Sequence, residues 1–205
     1  MTDLTFWTNP QSRGAIARWM LEEVGAPYDT VVMGFGPPMK VPEYLAVNPM
    51  GKVPAIRHRG QVVTEAAAIC AYLADAFPQA DLAPPLQDRA AYYRWLFFGA
   101  GPMEAAATNN ALGVVVPIER RGMVGYGDPQ LVIATLETRV KQSEYLAGDT
   151  FTAADVYTGS QIGWGLKFGI IPARPAFQDY WARMSARPAH QRATAKDAAL
   201  IGGRA

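Results

Sequence analysis

Two short segments carry residue types from which a binding site could be built: NPMGKVPAI at Asn48–Ile56 and TEAAAI at Thr64–Ile69. Pro54 opens a β-prone run, and proline cannot donate to a sheet ladder, so it belongs at a strand start or an edge. If the Val53–Pro54 bond is cis, the rarer isomer of such bonds, the backbone of Val53 turns outward and can pair with an extended peptide ligand. Glu65 opens a helix. Its carboxylate, with the first-turn amides that lack an intrahelical acceptor, forms a polar nest. The nest offers an acceptor to an ammonium and donors to a carboxylate, the two groups an amino acid carries on its α-carbon.

Other chemistries find little support. His58 and His190 lie far apart with no ligand spacing around them, which argues against a zinc site. Neither a P-loop nor a GxGxxG fingerprint is present; Gly34 and Gly36 lack the third glycine and are followed by Pro37 and Pro38. The single cysteine, Cys70, has no partner for a CxxC motif or an intrachain disulfide. It falls on the apolar face of its helix and reads as a packing thiol.

The elements that must position these residues are legible in outline. Leu4–Trp7 is a short β-prone run, and Ile16, Trp19, Met20 and Val24 recur at helical spacing, with Ser12 as a cap and Gly25 as the stop. A strand over Tyr28–Met33 completes a βαβ unit. Gly34–Lys40 is a breaker-rich loop. Val53–Arg57 and Gln61–Thr64 make an antiparallel hairpin, and Glu65–Phe77 is a helix. The first eighty or so residues thus give β-α-β-α-β-β-α. Pro78–Asp88 holds three prolines and reads as a linker between a domain over 1–80 and one over 88–205.

Beyond the linker, helical patterns dominate. One runs from Asp88 to about Asn110 and another from Pro129 to Leu146, with Gly113–Asp128 between them as a long loop or broken helix. Phe151–Val156, FTAADV, predicts a capping box between Thr152 and Asp155 with Phe151 and Val156 as its staple. A last helix spans Pro175–Ala186, entered through proline.

Composition narrows the class. Of 205 residues, 50% are hydrophobic and 18% charged, with a formal net charge of +1. That balance excludes intrinsic disorder and gives no electrostatic footprint for nucleic acid or an anionic membrane. No apolar run approaches the ~20 residues of a membrane span, and Met1–Pro10 contains no basic residue, so the expected location is the cytoplasm.

Taken in order, these motifs resemble the cytosolic glutathione S-transferases of a bacterial type. Thr8–Asp29 (TNPQSRGAIARWMLEEVGAPYD) resembles the family's first strand, first helix and second strand. NPMGKVPAI resembles its cis-proline segment, Thr64–Pro78 (TEAAAICAYLADAFP) its ligand-binding helix, and FTAADV its capping box and staple. The resemblance runs from Leu4 to His190. It implies an α/β thioredoxin-like N-terminal domain, an all-α C-terminal domain, a homodimer, glutathione as co-substrate and no metal.

Carried across, the Val53 backbone would bind the cysteinyl unit of glutathione, held by Pro54, with Lys52 touching the peptide. Glu65 and the amide of Ala66 would hold the γ-glutamyl end, and Lys40 the glycyl carboxylate. Two departures from the family pattern stand out. Many members place Ser after the glutamate, where this chain has Ala66, and some place an activating Tyr where it has Trp7. The donors left to lower the thiol pKa are Thr8, Asn9 and Ser12, with Ser12 first and Asn9 second; Ser12 reads equally as a plain helix cap. Tyr92, Trp95, Phe98, Met103, Trp164 and Phe168 are candidate linings for an electrophile pocket between the domains. The implied reaction is addition of the glutathione thiolate to small hydrophobic electrophiles. The alternatives are a non-catalytic binding or scaffold protein and a glutathione-dependent reductase or isomerase.

Overall fold

The structure, a computed structural model, describes residues 2–202 and divides into two compact units. The first holds the chain up to Leu82 together with the segment from Ala186 onward, and the second spans Ala83–Ser185.

In the first unit, β1 (Leu4–Thr8), β2 (Asp29–Val32), β3 (Ala55–His58) and β4 (Gln61–Thr64) form a four-stranded sheet in the order β2-β1-β3-β4. β1 runs parallel to β2 and antiparallel to β3, and β3 is antiparallel to β4. The period of two divides β1 between two packing environments. Leu4 and Phe6 are fully buried, whereas Trp7 packs against a separate cluster of Met39, Tyr44, Val47 and Ala55, with Met33 and Val53 at its margin. α1 (Gly14–Val24) and α3 (Ala66–Ala76) pack on each other. α1 stops where Gly25 enters the left-handed region at φ 72° and its N–H bonds Leu21 O at 3.0 Å. The β3–β4 turn places Arg59 and Gly60 at φ 51° and 75°, the left-handed pair that matches strand twist in a tight hairpin.

Two local expectations change. β3 begins at Ala55 rather than Val53, which leaves Val53 and Pro54 outside the ladder. The segment read as a loop contains a 3-10 turn at Pro37–Lys40, while the helix expected between the second strand and the hairpin is the short α2 (Pro42–Leu45); each has proline in its first turn.

The second unit is helical: α4 (Ala90–Phe98), α5 (Glu104–Ala111), α6 (Pro129–Gln142), α7 (Ala153–Lys167) and α8 (Pro175–Ser185). The single helix expected over 88–110 is broken into α4 and α5 by a π-helical turn at Gly99–Met103. Pro102 lies inside that turn and has no N–H to give the helix ladder. Gly99 permits a close approach there, since a Cβ would sit 2.3 Å from Thr158 Oγ1, which itself donates to Trp95 O at 2.7 Å. The capping box at α7 forms as the sequence predicts. Asp155 is fully buried, and its second oxygen accepts from Leu146 N at 2.7 Å and Tyr180 Oη at 2.8 Å.

The sequence reading ended the helices at Ala186 and drew the second domain to residue 205. The structure instead adds α9 (Pro188–Gly202) and packs it on α1, within the first unit. Its hold is largely ionic. Arg18 Nε donates to Asp197 Oδ1 at 2.6 Å with both residues buried. Arg187 grips Glu23 through two bonds of 2.6 and 2.9 Å, and Lys196 and Arg192 converge on Glu22. Removing one member of a buried pair such as Arg18–Asp197 typically costs about 3–5 kcal/mol. Among the described residues, no helix is long and apolar enough to cross a membrane.

Candidate functional site

The Asn48–Pro54 loop is braced from the buried side. The Val53–Pro54 bond is cis. The carbonyl of Lys52 accepts from Tyr44 Oη at 2.6 Å and from Asn48 Nδ2 at 2.8 Å. Asn48 Oδ1 accepts in turn from Met50 N at 3.1 Å. Lys40 Nζ donates to Met50 O at 2.9 Å and Gly51 O at 3.2 Å. Gly51 is required at that crossing: it has φ 57°, and a Cβ there would meet Met39 O at 2.5 Å and Lys40 Nζ at 2.7 Å. Burial pushes the Tyr44 phenol up to about 12, which keeps its proton in place for donation across the physiological range. The ammonium expected at a glycyl carboxylate is thus already engaged in tying down the loop, while the Lys52 side chain is exposed.

Glu65 stands at the N-cap of α3 with φ 66° and ψ 119°, exposed and without a side-chain bond to the helix it opens. A non-glycine residue held in such a sparsely populated region costs on the order of 1–3 kcal/mol, and strain of that kind gathers at ligand sites. The carboxylate is presented to solvent rather than used as a cap. Ala66, the first residue of α3, is buried, and its amide belongs to the turn whose N–H groups find no intrahelical acceptor.

The turn before α1 sorts the three candidate activators. The N-cap of α1 is Arg13, with no side-chain capping bond, rather than Ser12 as expected; Ser12 Oγ donates to Asn9 O at 2.7 Å and accepts from Gly14 N at 2.9 Å. Asn9 Nδ2 donates to Met33 O at 2.8 Å, and its Oδ1 accepts from Gln11 N at 2.9 Å. Both first choices of the sequence reading therefore hold backbone in place. Thr8, ranked behind them, is the exception: it is fully buried at the end of β1 and its Oγ1 has no hydrogen-bond partner. Gly14 accommodates it, because a Cβ there would lie 2.0 Å from that oxygen.

Among the pocket candidates, Tyr92, Trp95 and Met103 are buried in the second unit. Phe98 and Trp164 are half-buried, and Phe168 is exposed. Cys70 is fully buried, and burial pushes its thiol up, so it is an inert packing group. The residue missed by sequence reasoning is Tyr44. The one available signal was its spacing from Asn48, four positions on, which places both side chains on the same side of a helical turn.

Residues 14–76 match the family model described as "Glutathione S-transferase, N-terminal domain", and residues 130–188 match "Glutathione S-transferase, C-terminal domain". Glutathione S-transferase GST-4.5 of Xanthomonas campestris pv. campestris is 30% identical over 157 residues, covering 72% of this chain and 76% of that protein. Disulfide-bond oxidoreductase YfcG of Escherichia coli is 28% identical over 212 aligned positions, covering 96% of this chain and 95% of that protein. Among solved structures, the theta class glutathione S-transferase from Xanthomonas axonopodis pv. citri, determined with glutathione bound, aligns with a TM-score of 0.75 at 28% identity. That alignment covers 95% of this chain and 98% of the other. With the sheet, the cis-proline loop and the strained glutamate all in the order the motifs require, the chain belongs to the glutathione S-transferase family.

Proposed function

We propose that this glutathione transferase binds glutathione along the Val53 backbone and Glu65, and adds its thiolate to small hydrophobic electrophiles. The observation that carries the reading is Glu65, an exposed carboxylate held at φ 66° with no structural hydrogen bond to the helix it opens. It accepts from the γ-glutamyl ammonium, while the first-turn amides of α3, Ala66 first, donate to the adjacent carboxylate. The cysteinyl unit pairs with Val53 beside Pro54. Lys52 and the remaining N–H of Lys40 supply positive charge toward the glycyl end. A glutathione thiol near the first turn of α1 meets its dipole, and the Thr8 hydroxyl is the nearby donor with a proton not yet committed. In the reaction the thiolate sulfur forms a bond to the electrophilic carbon, a leaving group such as halide departs with its electron pair, and the thiol proton passes to solvent.

The reading extends to a cytoplasmic homodimer. Leu86, Tyr93 and Phe97, which are 77%, 42% and 71% exposed, line up at and before α4, with the two aromatics at i, i+4 spacing. A second reading, glutathione-dependent disulfide reduction, is favoured by the likeness to the oxidoreductase named above. Two glutathione thiols would reduce one disulfide, their protons passing to the two thiols released, and leave as glutathione disulfide, with Cys70 too buried to take part. Calorimetric titration with glutathione, followed by assays with an activated aryl halide and with a mixed disulfide, tests both. Binding with aryl transfer supports the first reading, binding with disulfide reduction alone supports the second, and no binding at millimolar glutathione overturns both.

A further inference from the structure

The carbonyl gripped by Tyr44 and Asn48 and the N–H of Val53 belong to one peptide unit. That unit is planar, and in the trans form its C=O and N–H point in opposite directions; the cis bond of this loop is the next one, Val53–Pro54. Fixing the Lys52 oxygen therefore fixes the direction of the Val53 N–H. Both donors are buried, with Tyr44 3% and Asn48 4% exposed. Tyr44 is anchored in the cluster of Met39, Val47 and Ala55, against which Trp7 and Val53 also pack. The two donors share one helical turn, since Asn48 N bonds Tyr44 O at 2.8 Å. An oxygen held from the core side by two such donors leaves the opposite edge of the peptide facing away from the core.

We infer that Tyr44 and Asn48 are positioning residues for peptide capture: by holding the Lys52 carbonyl they aim the Val53 N–H at the backbone of the bound cysteinyl unit. The inference rests on the glutathione reading above. It also accounts for Trp7, which lies where some relatives carry an activating tyrosine. Here the indole packs in the cluster that seats Tyr44. The pair acts on the peptide's affinity and not on the ionisation of its thiol, because both side chains spend their hydrogen bonds within the Asn48–Pro54 loop.

The test is a glutathione titration of the full chain and of two variants, with thermal unfolding and the thiol pKa of the bound ligand measured alongside. Tyr44→Phe keeps the packed ring and removes only the hydroxyl. Asn48→Asp keeps the acceptor for Met50 N and removes the donor. The expected result is a three- to tenfold rise in Kd for Tyr44→Phe and a larger one for Asn48→Asp. The double variant should lose more than the product of the singles, as the carbonyl then has neither donor. Unfolding temperature and bound thiol pKa should hold for Tyr44→Phe. An unchanged Kd in that variant, while the parent chain binds, overturns the inference. So does a Kd rise accompanied by a shifted thiol pKa, which would mark general disruption of the site. Failure of the parent chain to bind glutathione removes the underlying reading itself and is seen before any variant is made.

Discussion

The Asn48–Pro54 loop and the Thr8–Arg13 turn use polar side chains in the same way and with different consequences. In the loop, Lys40, Tyr44 and Asn48 are used mainly on backbone carbonyls, and what faces a ligand most directly is the backbone of Val53. In the turn, Asn9 and Ser12 are likewise spent on backbone, and what remains is a buried threonine hydroxyl. In the proposed reading the loop serves recognition of a peptide, which backbone does well. The turn would serve its sulfur, for which a hydroxyl and a helix N-terminus are suited. A side chain that looks reactive in a sequence is often the one that holds the scaffold, because unpaired backbone groups are costly to bury.

The largest expected effect falls on the recognition side. Glu65→Ala removes a charged acceptor from a charged donor, an interaction worth about 1.5–3 kcal/mol. It should weaken glutathione binding roughly 10- to 150-fold with the unfolding temperature nearly unchanged. Unaltered affinity by calorimetry would remove Glu65 from the site and dissolve the contrast. On the turn side, Thr8→Val is isosteric and deletes only the hydroxyl. The bound thiol pKa should rise by about one unit, roughly tenfold in thiolate stability. A protein that is merely more stable, with the thiol pKa unmoved, would show the hydroxyl to be an unused buried group.

Ser12→Ala sharpens the same contrast from the other direction. It deletes the bonds to Asn9 O and Gly14 N and should cost about 1–2 kcal/mol of stability, while leaving the thiol pKa in place. A rise of that pKa would return Ser12 to the activating role. The smallest effect concerns His58, which supports β3 from within the first unit. It is buried, bonded to Tyr72 Oη at 3.0 Å and stacked on Phe77. Burial, with the nearby Arg59 charge, holds its pKa below 6.5. The neutral ring is thus favoured by folding, so its contribution is fully present above pH 6.5 and is lost as pH falls through the lower folded-state value. Between pH 7.5 and 5, unfolding temperature should fall more steeply for the parent chain than for His58→Phe, which keeps the ring stacking; equal slopes would discount the residue.

The parts of the fold that could be read from sequence were those written in local grammar. The hairpin announces itself by alternation around Arg59-Gly60, the end of α1 by Gly25, and α7 by Thr152 and Asp155. The cis-proline loop could be read because Pro54 has few places to go in a sheet. What escaped depends on partners distant in sequence or on short elements without a period. α9 buries little beyond Ala189, Ala193 and Asp197, and its anchor Arg18 lies 179 positions away. The sequence places a second helix in the element order without marking its range, and at four residues α2 is too short to single out Tyr44. The order of Thr8, Asn9 and Ser12 as thiol donors turned on which hydrogen bonds were already made, and that is a property of the folded turn.

The central claim is that the first unit binds glutathione and stabilises its thiolate. It is tested most directly by following the ultraviolet absorbance of protein-bound glutathione thiolate across pH. A free thiol of this kind titrates near ~8.5. The account predicts saturable binding with the bound thiol at least one unit lower; binding with the thiol at its free value would contradict it.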